Sequence, residues 1–200
     1  MSGIIAQNSG RHTGLVKAAS AAGVWNLILT QTASASATID FTSGLDSTYD
    51  EYVFKFINIH PATDGGQFGF QGNEAGGADY DETITSATFR ASHDEADSGT
   101  SLAYRTEEDQ AQGTGLQLMT IGVGNGNDES CSGYLQLFAP SDTTFIKHFM
   151  SRVSFYKDNN EAIDFYTAGY FNTTAAIDEI QFKMDSGNID AGTISLYGIT

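Results

Sequence analysis

The chain has 200 residues, 40% of them hydrophobic and 12% aromatic, with 22 glycines, two prolines and a formal charge of −16 from 25 acidic against nine basic side chains. Such a surface repels phosphate backbones and anionic lipid head groups over a screening length of about 8–10 Å, and the scattered basic residues form no run, so neither nucleic acid nor membrane is an expected partner. A lone cysteine, Cys131, excludes an intrachain disulfide and fits folding in a reducing cytoplasm, and no segment reaches the roughly 20 apolar residues of a membrane span.

Residues 1–23 mix small, polar and isolated apolar side chains without a sustained period and read as an N-terminal arm. The arm is either a disordered leader or an extended segment that orders against a neighbouring subunit through Ile4, Ile5, Leu15 and Val16, with Arg11 and Lys17 as its two cations. Residues 24–200 read as a single β domain. Trp25 opens its first strand and belongs either at an interface or in the core; with the six arm residues it completes the candidate partner-binding set.

Short runs of β-formers follow at 25–30 and 38–41, separated by the Ala/Ser stretch 33–37. Tyr52 to Ile59 is the longest strand candidate, with Tyr52, Phe54 and Phe56 on one face and Val53, Ile57 and Ile59 largely on the other, the pattern of a central strand covered on both sides. His60-Pro61 ends it, as Ala139-Pro140 ends the strand around 133–138, because proline cannot donate to a ladder. Residues 62–115 are the least periodic and most acidic third; short strands at 67–70, 83–90 and 101–105 are expected between long surface loops. Strand character returns at 116–123, a Gly/Asn turn occupies 124–130, and regular strands at 146–156, 162–171, 177–184 and 193–199 close the chain. Roughly eight to eleven strands at spacings of about 8–12 residues are the pattern of an antiparallel β-sandwich, jelly-roll-like.

No reactive constellation stands out. His12, His60, His93 and His148 lack a partner at metal-ligand spacing, and the strained Gly-x-Ser-x-Gly elbow of a hydrolase is absent, so no catalytic residue or cofactor is expected. Calcium has half a site at best, from Asp79, Asp81 and Glu82 or from Asn125, Asn127, Asp128 and Glu129, since the distal bidentate Glu of a calcium loop is missing. The tyrosines Tyr80, Tyr104, Tyr156, Tyr166 and Tyr170 are candidates for a carbohydrate-stacking or protein-docking face, with strand packing as the plainer reading.

Two segments carry a resemblance. Thr38 to Pro61 (TIDFTSGLDSTYDEYVFKFINIHP) and Ser186 to Ile199 (SGNIDAGTISLYGI) resemble what recurs in small β-sandwich structural proteins of tailed bacteriophages. The resemblance implies a virion component made in the host cytoplasm: a head decoration or cement protein, or a tail-fibre or appendage module, commonly trimeric and without catalytic residues. The short chain has no heptads and no repetitive shaft, which favours a capsid decoration protein bound to the major capsid protein or another virion protein. A receptor-binding tip that recognises the host surface is the second reading, and a glycan depolymerase the third.

Overall fold

The computed structural model describes residues 23–200; Ile4, Ile5, Arg11, Leu15, Val16 and Lys17 lie outside them. The described residues form thirteen strands and no helix: β1 (Trp25–Ser36), β2 (Ile39–Phe41), β3 (Glu51–Pro61), β4 (Phe68–Glu74), β5 (Ile84–Asp94), β6 (Thr100–Tyr104), β7 (Ala111–Gly113), β8 (Gln117–Leu118), β9 (Cys131–Phe138), β10 (Lys147–Lys157), β11 (Glu161–Phe171), β12 (Ile177–Met184) and β13 (Ile189–Ile199). They make two antiparallel sheets, one of nine strands in the order β1-β13-β3-β9-β10-β11-β5-β6 with β7 also on β5, the other of four in the order β2-β12-β4-β8. The fold is the expected all-β sandwich, with more strands than the turn spacing predicts.

β10 shows why these residues make a half-buried sheet. Phe149, Val153 and Phe155 point into the core while His148, Met150, Arg152 and Ser154 point out, a strict alternation of period two. The small sheet lays β12 and β4 over the inner face of the large one. Phe182 is the hub, with ring centroids 5.1 Å from Phe54, 5.3 Å from Phe56, 5.9 Å from Phe68 and 6.0 Å from Phe41. Each fully buried aromatic ring contributes about 1.5–3 kcal/mol through the water it sheds, so this cluster is the main source of cohesion between the sheets.

Two expectations need correction. β3 is central, but a second sheet covers only one of its faces: Tyr52, Phe54 and Phe56 are fully buried there, while on the outer face Val53 is buried and Ile57 is 48% exposed. The expected outward position of Ile59 fails because the β3–β9 register shifts between Phe56 and Ile59, where Asn58 adopts a left-handed φ of 52° and turns Ile59 back into the core. The 62–115 third is also more ordered than a set of surface loops. β4 is buried along nearly its whole length and β5 runs for 11 residues.

Buried amides hold that third together. The Gln71 side chain donates to the carbonyls of Glu82, Thr114 and Gly115 and accepts from the Gly72 N–H, and Gln117 donates to the Glu108 and Leu118 carbonyls while accepting from Ser86. Each buried amide thereby satisfies its own polar atoms, which left unpaired would cost about 1–3 kcal/mol apiece. The acidic run 107–109 is likewise engaged: Arg105 forks onto the buried Glu108 through two bonds of 2.9 Å, and Asp109 accepts from the Tyr104 hydroxyl.

Candidate functional site

The outer face of the nine-stranded sheet carries the most structured exposed surface among the described residues. Cross-strand register places Lys55, Tyr134, Arg152, Tyr166, Phe89 and Tyr104 side by side in one row across six strands. Tyr166 and Phe89 stack with centroids 4.7 Å apart and planes 5° from parallel, and the Arg152 guanidinium lies 4.9 Å from the Tyr166 ring. Because the two ring faces are turned towards each other, the row stands as a ridge with ring edges outward, the Tyr166 and Tyr104 hydroxyls being taken up by Asp164 and Asp109.

Arg152 is fixed from a second side. Its Nε and Nη2 donate to the two carboxylate oxygens of Asp164 at 2.9 and 2.7 Å, and the Tyr166 hydroxyl donates to the same carboxylate at 3.0 Å. The Arg152 bonds, joined by that from Tyr166, hold the Asp164 carboxyl below the usual carboxylate range against the opposing effect of partial burial. The result is a guanidinium and a carboxylate locked in position with donors and acceptors left over on an exposed surface.

A hollow lies on each flank of the ridge. On one flank a shallow apolar depression of about 560 Å³ has Met150, Ala168 and Ala87 beneath it and Phe138, His148 and Tyr170 at its rim. The other flank is polar. There Ser132, Ser154, Asp164 and Ala91 stand opposite one another on β9, β10, β11 and β5 and form a floor of small side chains. Three hollows of about 400, 310 and 270 Å³ lie over this floor and share Ser132, Ser154, Ala162 and Asp164 in their linings, and a fourth of about 480 Å³ adjoins them at Asp128 and Ser130. At its β3 end the bulge at Asn58 brings Asn58, His60 and Asp190 to the rim, with a backbone N–H from Asn58 to the Ser132 hydroxyl at 3.0 Å.

A separate feature is the β1 edge. Among the described residues its ladder partner is β13 alone, and its twelve residues carry no charge. Trp25 and Leu27 are 49% and 59% exposed, and Val24, Ile28 and Leu29 are exposed beside them. The other terminal strands are short: five residues in β6, three in β2 and two in β8. Edge strands are ordinarily protected by charge, proline or brevity; β1 has only a bulge between Leu27 and Leu29.

Of the candidate residues, Trp25 lies at the surface, edge-on to Tyr197 at 5.5 Å with the Lys55 ammonium 5.6 Å from its ring. Tyr104, Tyr156, Tyr166 and Tyr170 share the outer face, whereas Tyr80 is tied to Glu179 of β12. Two of the calcium candidates are drawn into local clasps, Glu129 accepting the Gly126 N–H and Glu82 the Glu74 N–H, and no metal-holding group of three His, Cys, Asp or Glu occurs among the described residues. Tyr134, Arg152, Asp164, Phe89 and the serine floor went unseen in the sequence; the alternation of β10 and β11 puts Arg152 and Asp164 outward, but their union needs the register. No family model, curated protein or solved structure matches the chain.

Proposed function

We propose that the chain is a structural subunit of a tailed-bacteriophage virion, a capsid decoration or cement protein that acts by binding and stabilising the major capsid protein lattice, and that it works as a homotrimer. The resemblance of residues 38–61 and 186–199 to such proteins supports the virion context. The observation that carries the docking role is β1: a long, uncharged edge, with exposed Trp25, Leu27, Ile28 and Leu29 at its start, on a chain whose formal charge is −16. Like charge elsewhere discourages indiscriminate association, so contact is directed to the one long edge that lacks charge among the described residues. A modest gain per contact, repeated over a lattice, stabilises a shell without chemistry.

The test is co-sedimentation of the purified protein with capsids that lack it, together with imaging of a labelled copy on the intact particle. Saturable capsid binding that falls about tenfold or more in a folded Leu27→Glu variant is the expected result. Label confined to the tail, or binding untouched by that charge, overturns the decoration role. A trimer is expected in sedimentation at high concentration, and a monomer there and on the particle overturns that part.

A receptor-binding reading is favoured by one observation, the rigid aromatic and ionic ridge on the outer face, which no core-building requirement explains.

A further inference from the structure

We infer that the polar trough beside the ridge is a binding site for an uncharged oligosaccharide. The trough crosses β3, β9, β10, β11 and β5, four strand spacings or about 19 Å, the length of roughly four hexose units. Its floor of Ser132, Ser154 and Ala91 is low enough to admit a chain laid across the strands, and its hydroxyls are two-way hydrogen-bonding groups suited to sugar hydroxyls. At its centre Arg152 and Asp164 are held by each other, with Tyr166 gripping both, so a sugar meets donors and acceptors that need no further ordering. Tyr134, 38% exposed, and Tyr156 stand on opposite sides of the floor and supply apolar ring surface for sugar C–H groups.

Charge decides the class of sugar. Arg152 is neutralised by Asp164, and the β3 end is acidic through Asp128, Glu129 and Asp190, so a sulfated, phosphorylated or uronic polymer is repelled. The Asn58 bulge shapes that end: β13 passes so close that a Cβ on Gly192 would lie 2.6 Å from the Asn58 carbonyl, and Asn58 is exposed at the rim. This site does not use the β1 edge, and it stands or falls separately from the docking role.

The experiment is a glycan array spanning neutral, amino and anionic sugars, followed by titration of the best neutral hit into isotopically labelled protein. Expected are binding to neutral glycans, amide shifts confined to Ser132, Ser154 and Ala162 and their neighbours, and a loss of about tenfold or more in affinity for Tyr134→Ala. Ser154→Trp, at an exposed position that fills the floor, is expected to abolish binding with an unchanged melting temperature. A blank array, a preference for anionic glycans, or binding indifferent to Ser154→Trp overturns the inference. So does a blank array combined with loss of capsid binding in Ser154→Trp, which would give the trough to a protein partner.

Discussion

The two faces of the nine-stranded sheet are made by the same strands with opposite contents. On β10 the inward residues Phe149, Val153 and Phe155 are buried in the core, Phe149 edge-to-face with Phe70 of the small sheet, while the outward His148, Met150, Arg152 and Ser154 meet solvent. The inner face is aromatic and continuous, and its rings touch mostly edge to face around Phe182. The outer face is divided into an ion-paired ridge, an apolar hollow and a serine floor. An outer face needed only for solubility has no reason to lock an arginine between a carboxylate and a ring; evenly scattered charges serve that purpose at lower entropic cost. The contrast separates what holds the molecule together from what it presents.

Removing Phe182 probes the inner face most severely. Phe182→Ala leaves a cavity between the sheets and is expected to destabilise the protein by about 3–5 kcal/mol, read as a lower denaturant midpoint. A loss under about 1 kcal/mol would mean that the sheets are held by something other than this cluster. The ridge is expected to matter far less to folding. Phe89→Ala should lower the melting temperature by about 2–4 °C, the scale of one cross-strand aromatic pair in a domain of this size. A double variant with Tyr166→Ala should lose less than the sum of the single losses because the rings stack on each other. Additive losses would remove the ridge as a unit.

Much of the inner face was legible because burial imposes a period. The alternation of Ile180, Phe182 and Met184, and of Tyr52, Phe54 and Phe56, follows from one face being dry, and the turns between strands follow from glycine and asparagine chemistry. The third between residues 62 and 115 was harder because its order comes from buried Gln71 and Gln117, which in a sequence look like any surface amide. Ile59 was misplaced because a single left-handed residue, Asn58, reverses the parity of everything after it. The ridge was half legible. Tyr104 and Tyr166 stand out as aromatic, but Tyr134, Arg152 and Phe89 join them only through pairings between strands distant in sequence, and pairing is not written in any one strand.

The smallest expected effect is an electrostatic one confined to the outer face. Asp164 has its carboxyl pKa depressed by the Arg152 bonds, so the stabilisation it supplies is present above the unfolded value of about 3.9 and is lost as pH falls through the folded value. Glu82 and Asp178 act in the opposite sense: burial raises both, so the folded state takes up their protons first and gains stability as pH falls through those raised values. The whole-protein acid profile therefore mixes both signs, and a comparison isolates the ridge. Asp164→Asn should be slightly less stable than the parent at neutral pH, and the gap in melting temperature should shrink below about pH 4 as the parent's own carboxylate becomes neutral. Arg152 remains charged throughout, so the shrinkage reports Asp164 alone. A gap that stays constant from pH 7 to pH 3 would mean that the Arg152–Asp164 fork contributes through its shape, with its charge screened by solvent.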